Sequence, residues 1–232
     1  MRDTLCIIPA RSGSKGIKDK NILMLNKKEL FLHSINFAKK LKFVKDIVFS
    51  TDSSRYIQIS KKSLNHLSRL RPKAISQDNT DMIKVIRHEL NNYKGNKKEI
   101  SKILILQPTC PFRSITIFNK ANNLLKQKYD SVITLNEVRD HPERMKLINS
   151  KNHVKNFISS KVSFARRQSL KKVYIRSGSM YFFKAKNILK SNNILGKKIY
   201  GIIVKGKEAI NIDNYDDFVL AKSYSKVNDK NS

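Results

Sequence analysis

Tryptophan is absent from the 232 residues, and only two cysteines, five prolines and seven glycines are present. Cys6 lies in an apolar run and Cys110 in a later loop. Without a C-x-x-C spacing they exclude a disulfide framework and a thiolate zinc site, and both read as inert thiols. No stretch reaches the ~18 to 20 apolar residues of a membrane span, and the first residues lack the apolar core of a signal peptide. The expected location is therefore the cytoplasm, with no membrane partner. Acidic side chains are also scarce, 18 against 48 basic ones, for a formal charge of +30. Such a balance often marks a nucleic-acid binder. Here, however, the basic residues come singly or in pairs such as Lys27-Lys28, Lys61-Lys62 and Lys197-Lys198, interleaved with Asn and Ile along the whole length. That is the bias of an AT-rich genome. With no basic arm or nucleic-acid motif, no nucleic-acid partner is expected, and a nucleic-acid binder stays as the alternative from a different class.

What is present is an alternation of short apolar runs and helix-length amphipathic segments, the pattern of one α/β domain. That domain is expected over 1–225, with 226–232 as a flexible tail. Strands are expected at Leu5 to Ile8, Asp46 to Ser50, Lys102 to Leu106, Ser131 to Leu135 and Ile199 to Val204. Another is expected over Val173 to Phe183, broken by Gly178. Helices are expected over Leu30 to Leu41, around Met82 to Leu90, over Ser114 to Lys126, and from about Asn214 to Ser225. From Asn136 to about Val173 the alternation stops, and so long an irregular insertion is usually functional or part of an interface.

The first strand runs into a loop holding Arg11, Gly13, Ser14, Lys15, Gly16, Lys18 and Lys20, opposed only by Asp19. Glycines let backbone N–H groups close on a ligand, and the cations supply charge-assisted bonds to phosphate. The loop has neither the Walker spacing nor G-x-G-x-x-G, so a polyphosphate cradle and a plain basic surface loop both remain open. Farther on, Thr51-Asp52-Ser53 follows a strand, where α/β sheets bind ligands, though Asp52 or Ser53 equally suits a helix cap. Thr80 or Asp78 reads as the cap of the helix near Met82. Pro108 and Pro111 stiffen the loop Gln107 to Arg113 and pre-organise what it presents.

These segments resemble the sialic-acid (acylneuraminate) cytidylyltransferases. IPARSGSKG with Lys20-Asn21 is similar to that family's opening signature. STDS and RPKAISQDNT match its next two, and QPTCPFR is similar to its QPTSPLR loop, with Cys110 and Phe112 substituted. Arg176-Ser177-Gly178 stands for its R-N-G, with Ser177 replacing Asn at the cost of one expected bond to the sugar. Asn211-Ile212-Asp213, followed by Asp217, stands for its D-I-D-x-x-x-D, with Asn211 replacing the first carboxylate. The matches span Cys6 to Phe218.

The resemblance implies a Rossmann-like nucleotide-sugar transferase fold. In it a mostly parallel mixed sheet is flanked by helices, and the insertion over 136–173 binds sugar and packs across a homodimer. It implies a nucleotidyltransferase that joins CTP to a nine-carbon 2-keto (nonulosonic) sugar acid, giving CMP-sugar and pyrophosphate. A 3-deoxy-manno-octulosonate cytidylyltransferase is the runner-up. Carried over residue by residue, Arg11, Ser14, Lys15, Lys20, Asn21, Arg71, Asp78 and Gln107 would bind nucleotide. Gln107, Arg144, Lys146, Arg167, Gln168 and Tyr181 would bind the sugar acid. Arg11, Lys20 and Asp213 are the expected catalytic residues. Mg²⁺ is the expected cofactor, on Asp213 with Asn211 as a weaker ligand, whereas Asp217 reads better as a helix cap.

Overall fold

In a parallel sheet covered on both faces, successive residues of a strand enter opposite layers, so a central strand must be apolar throughout. The computed structural model describes residues 1–14, 16–63, 65–158, 169–190 and 193–229, with the backbone alone at 189–190 and 226–229. Its first strand, β1 (Thr4–Pro9), sends Cys6 and Ile8 into one hydrophobic layer and Leu5 and Ile7 into the other. A small hairpin, β2 (Met24–Leu25) and β3 (Lys28–Glu29), leads into helix α1 (Leu30–Lys39). Strand β4 (Val44–Thr51) repeats the alternation, with Ile47 and Phe49 on one face and Val48 on the other. Helix α2 (Ser54–Ser60), strand β5 (Leu67–Leu70) and helix α3 (Met82–Asn91) follow. Then come strand β6 (Lys102–Ile105), helix α4 (Ile115–Lys126) and strand β7 (Ser131–Glu137).

The irregular segment contains an exposed hairpin, β8 (Lys146–Ile148) and β9 (Val154–Asn156), after a 3₁₀ turn at Pro142–Arg144. The chain returns through β10 (Tyr174–Lys184), α5 (Lys186–Lys190), β11 (Ile199–Ile203) and α6 (Tyr215–Asp229). Seven strands form one sheet in the order β11-β7-β10-β6-β1-β4-β5. Every pairing in it is parallel except the two made by β10. This is the mostly parallel mixed sheet expected from the sequence, with helices on both faces.

Some details differ from the sequence reading. Gly178 does not end a strand. β10 continues past it with a shift in register against β7 between Arg176 and Tyr181, and Gly178 takes a positive φ of 78° there. The Thr134 hydroxyl accepts from Met180 N at 3.0 Å and from Ser177 Oγ at 2.6 Å, so the buried irregularity leaves these groups satisfied. The insertion is not without regular structure, but strands of three residues are too short to register as a period. The last helix runs to Asp229 rather than Ser225, because no Gly or Pro interrupts it there.

The core's weight lies around Phe49, fully buried with its ring centroid 4.5 Å from that of Phe31 on α1. Phe49→Ala removes that contact and leaves a cavity between sheet and helix. Urea unfolding is expected to show a loss of about 3 to 5 kcal/mol; a loss below about 1 kcal/mol contradicts this packing.

Candidate functional site

Sheets of this kind bind ligands where neighbouring strands send their connections to opposite sides. Here the chain goes from β1 to β4 and β5 on one side, then crosses to β6 on the other. A cavity of about 450 Å³ opens at that switch point, lined from the loops after β1, β5 and β6 and from the turn before α6. Arg11, Ser14, Lys20, Asn21, Arg71, Asp78, Gln107, Asn211 and Asp213 all line it. Most of the residues expected to bind nucleotide and metal are therefore brought together.

The loop after β1 has few apolar residues to pack, so polar contacts fix it. Asp52 accepts from Ser12 N at 2.8 Å and from Ser12 Oγ at 3.1 Å. Buried Asn21 donates to Arg11 O at 2.8 Å. Tyr56 OH donates to Asp19 Oδ1 at 3.0 Å, and Asp19 sits at a φ of +54°. Burial and that carboxylate push the Tyr56 phenol well above its ordinary pKa, so it stays a donor. Within the STDS segment, Ser53 caps α2 by accepting from Tyr56 N, which leaves Asp52 as the loop's anchor. Sequence position alone left those roles open.

Among the described residues, two cations at the mouth face carboxylates. Arg11 pairs with Asp78, and Lys20 Nζ donates to Asp213 Oδ1 at 3.0 Å. Lys20 is only 13% exposed while Asp213 is 65% exposed, so the ammonium points into the cleft from a shielded position. Gly16 lines the same mouth, where a Cβ would collide with the Asp213 carbonyl oxygen; only glycine lets the loop lie against that turn. Lys15 lies outside the described residues.

On the opposite wall Arg71 is 5% exposed, and its Nε donates to Ser76 Oγ at 2.9 Å. Burial lowers its pKa, yet a guanidinium remains charged in any ordinary buffer. Asp81 caps α3 by accepting from Ile83 N at 3.1 Å, rather than Thr80 or Asp78. Thr80 instead accepts from Gln77 N at 3.0 Å, closing the turn before the helix. Asp78 forms an ion pair with Arg11.

Gln107 stands between this cavity and a second one of about 370 Å³ that also holds Tyr181, Arg176 and Met82. Its loop is fixed by Arg113, which donates to Gln107 O at 2.6 Å, Ser179 O at 3.2 Å and Ser34 Oγ at 3.1 Å. Burial brings the Arg113 guanidinium down to about 10. Gly178 is required beneath Gln107: a Cβ there would lie 2.5 Å from Gln107 Oε1, at a φ that already favours glycine. Arg176, a strand residue of the RSG segment, joins Tyr181 in the second cavity. Its signal was the arginine of the R-S-G match. Of the other expected sugar ligands, Arg144 and Lys146 are exposed around the insertion hairpin, and neither lines either cavity. Lys146 donates instead to Asn156. Arg167 and Gln168 lie outside the described residues.

At the floor of the mouth, Asn211 Nδ2 donates to Asp213 Oδ2 at 2.5 Å. Asp217 Oδ2 accepts from Asp213 N at 2.9 Å and Asn214 N at 3.1 Å, while Asn214 Oδ1 accepts from Asp217 N at 2.9 Å. That reciprocal pair starts α6 and gives Asp217 its expected place at the helix end. The two cysteines are free and buried; burial raises both thiols, Cys110 to about 11.

The chain superposes on a CMP-2-keto-3-deoxy-manno-octonic acid synthetase solved with CTP at a TM-score of 0.69. The two share 11% identity and cover 97% of this chain and 99% of the other, a likeness of fold. It is 27% identical over 218 residues to an N-acylneuraminate cytidylyltransferase of Streptococcus agalactiae serotype V, covering 93% of this chain but 51% of that protein. The chain thus spans about half the length of that curated relative. It is 31% identical over 224 residues to the CMP-N,N'-diacetyllegionaminic acid synthase of Campylobacter jejuni serotype O:2, covering 96% of this chain and 94% of that one. Residues 5–220 match the cytidylyltransferase family model, and with its glycine loop, its QPTCPFR wall and its acidic turn all meeting at one cavity, the chain belongs to that family.

Proposed function

We propose that this protein is a nucleotidyltransferase that transfers the cytidylyl group of CTP to a nonulosonic sugar acid, releasing pyrophosphate. The observation that carries the reading is the meeting of Arg11, Lys20 and Asp213 at the mouth of the switch-point cavity. The acid's class is taken from the relatives named for acylneuraminate and diacetyllegionaminate. In this reading the sugar's anomeric hydroxyl attacks the α-phosphorus and pyrophosphate leaves, so the new P–O bond forms as the old one breaks. Such a transfer depends on in-line positioning and on neutralising phosphate charge. Arriving phosphate oxygens take over Arg11 and Lys20 from Asp78 and Asp213. Arg71 and its turn flank the base. Gln107 sits between nucleotide and sugar, with Tyr181 and Arg176 on the sugar side, where a guanidinium suits a planar carboxylate.

A magnesium ion fits this mouth on chemical grounds, since Asp213 offers an exposed carboxylate beside the phosphate cations. Among the described residues no group of three His, Cys, Asp or Glu side chains could cage a metal. The donor set therefore suits an ion that arrives with the triphosphate and keeps water and phosphate ligands. Asp213 would hold it. When bound, the ion would neutralise phosphate charge and lower the pKa of a coordinated hydroxyl.

The same reading takes the insertion as a homodimer contact. Ile148 and Val154 on the hairpin, with Phe157 just after it, are 67%, 61% and 56% exposed, an apolar patch in an otherwise lysine-rich surface. Arg144 and Lys146 stand off this chain's own cavities, where a partner's cleft would give them a sugar acid to meet. Among the described residues no helix is long and apolar enough to cross a membrane.

Three measurements test these statements. Incubation with CTP, Mg²⁺ and a panel of sugar acids, followed by mass spectrometry and pyrophosphate release, is expected to yield one or more CMP-nonulosonates. Product from 3-deoxy-manno-octulosonate alone, or none at all, overturns the substrate assignment. Lys20→Ala is expected to keep the melting temperature while kcat/KM falls roughly 30- to 1,000-fold, the loss of a charge-assisted contact worth ~2 to 4 kcal/mol. Turnover like that of the unaltered protein would remove this loop from the triphosphate. Light scattering is expected to give twice the chain mass, with Ile148→Asp shifting it toward monomer; a stable monomer in the unaltered protein contradicts the interface.

A further inference from the structure

Of the positions that depart from the family pattern, Cys110, Ser177 and Asn211 lie far apart in the chain. In the fold they touch. The Cys110 sulfur lies 3.3 Å from Ser177 O and 3.5 Å from Asn211 Oδ1, and it is fully buried. The thiol carries one hydrogen for these two oxygens, and Asn211 turns its amide oxygen toward the sulfur. The other end of the same amide meets a carboxylate: Asn211 Nδ2 lies 2.5 Å from Asp213 Oδ2. A carboxylate only accepts, so the amide nitrogen must face Asp213, and turning the amide over would set oxygen against oxygen. The two neighbours thus fix the amide's orientation by chemistry.

We propose that Asn211 is a positioning donor and not a metal ligand: it holds Asp213 by its amide N–H, with its carbonyl oxygen turned toward the buried Cys110 sulfur, so that Asp213 is the one carboxylate offered to the divalent ion. With Lys20 on Oδ1 and Asn211 on Oδ2, the Asp213 carboxylate is held from both sides. An aspartate at 211 would do the opposite. It would face Asp213 as a like charge, raise the cost of the empty site, and repay it only when a cation sits between the two carboxylates. Cys110, whose thiol is longer than the hydroxyl of serine, reaches the amide from the QPTCPFR loop. The substitutions read as one coupled change.

The inference rests on Asp213 being the metal carboxylate, and the test separates the two. Mn²⁺ is titrated into the whole protein without nucleotide, with free ion read by electron paramagnetic resonance and melting temperature followed in parallel. The unaltered protein is expected to bind Mn²⁺ weakly, with Asn211→Ala within twofold of it. Asn211→Asp is expected to bind at least tenfold tighter, to melt lower than the unaltered protein without metal, and to regain the difference when Mn²⁺ is added. Asp213→Asn is expected to lose the binding. A drop of more than about fivefold in Asn211→Ala would show that the amide is a ligand and overturn the inference. So would Asn211→Asp binding no tighter than the unaltered protein. An unchanged titration in Asp213→Asn would overturn the underlying metal assignment as well.

Discussion

The ion pair between Lys20 and Asp213 joins side chains 193 positions apart, and the cleft depends on it. It ties the glycine loop after the first strand to the turn before the last helix. Gly16 permits that contact, because any side chain there would meet the Asp213 carbonyl. Asp52, Asn21 and Tyr56 hold the loop from behind. Asp217 and Asn214 hold the turn from below. The result is a cation and an anion kept together in a place where an incoming phosphate and its metal would part them. A preset arrangement of this sort leaves little reorganisation for the moment of reaction.

Electrostatics explain why such a cleft is built from pairs. A protein of formal charge +30 would leave bare cations repelling one another at the mouth. Asp78 and Asp213 quench Arg11 and Lys20, and in the proposed function phosphate would replace them. The buried guanidinium of Arg113 works differently. Among the described residues it has no carboxylate partner, and it donates to carbonyl and hydroxyl oxygens, which fixes the loop carrying Gln107 without adding a mobile charge to the cleft.

The central strands β1, β4 and β6 were legible because each carries an apolar run, whereas the exposed edge strand β5, with Ser68 and Arg69, was not expected. The cleft residues were legible through the motifs that carry the family resemblance, of which the Arg11 to Lys20 loop and the Gln107 loop directly follow β1 and β6. Roles that depend on a distant partner were not. Nothing near Asp52 tells that it takes Ser12 while Ser53 takes the helix, and nothing near Asp78 tells that it faces Arg11 rather than capping α3. The insertion hairpin is too short and too rich in Lys and Asn to carry a period. Arg176 was visible as part of the R-S-G match, but its place beside Tyr181 at the second cavity, across a shift in register, was not.

The central claim is that this mouth receives a cytidine triphosphate. The most direct measurement is calorimetric titration of CTP into the protein without sugar acid, in the unaltered chain and in Arg11→Ala, at low and high salt. The account predicts one CTP per chain, an affinity that falls steeply as salt rises, and a loss of at least tenfold in Arg11→Ala. No saturable heat with CTP, or the same affinity in Arg11→Ala, would contradict it.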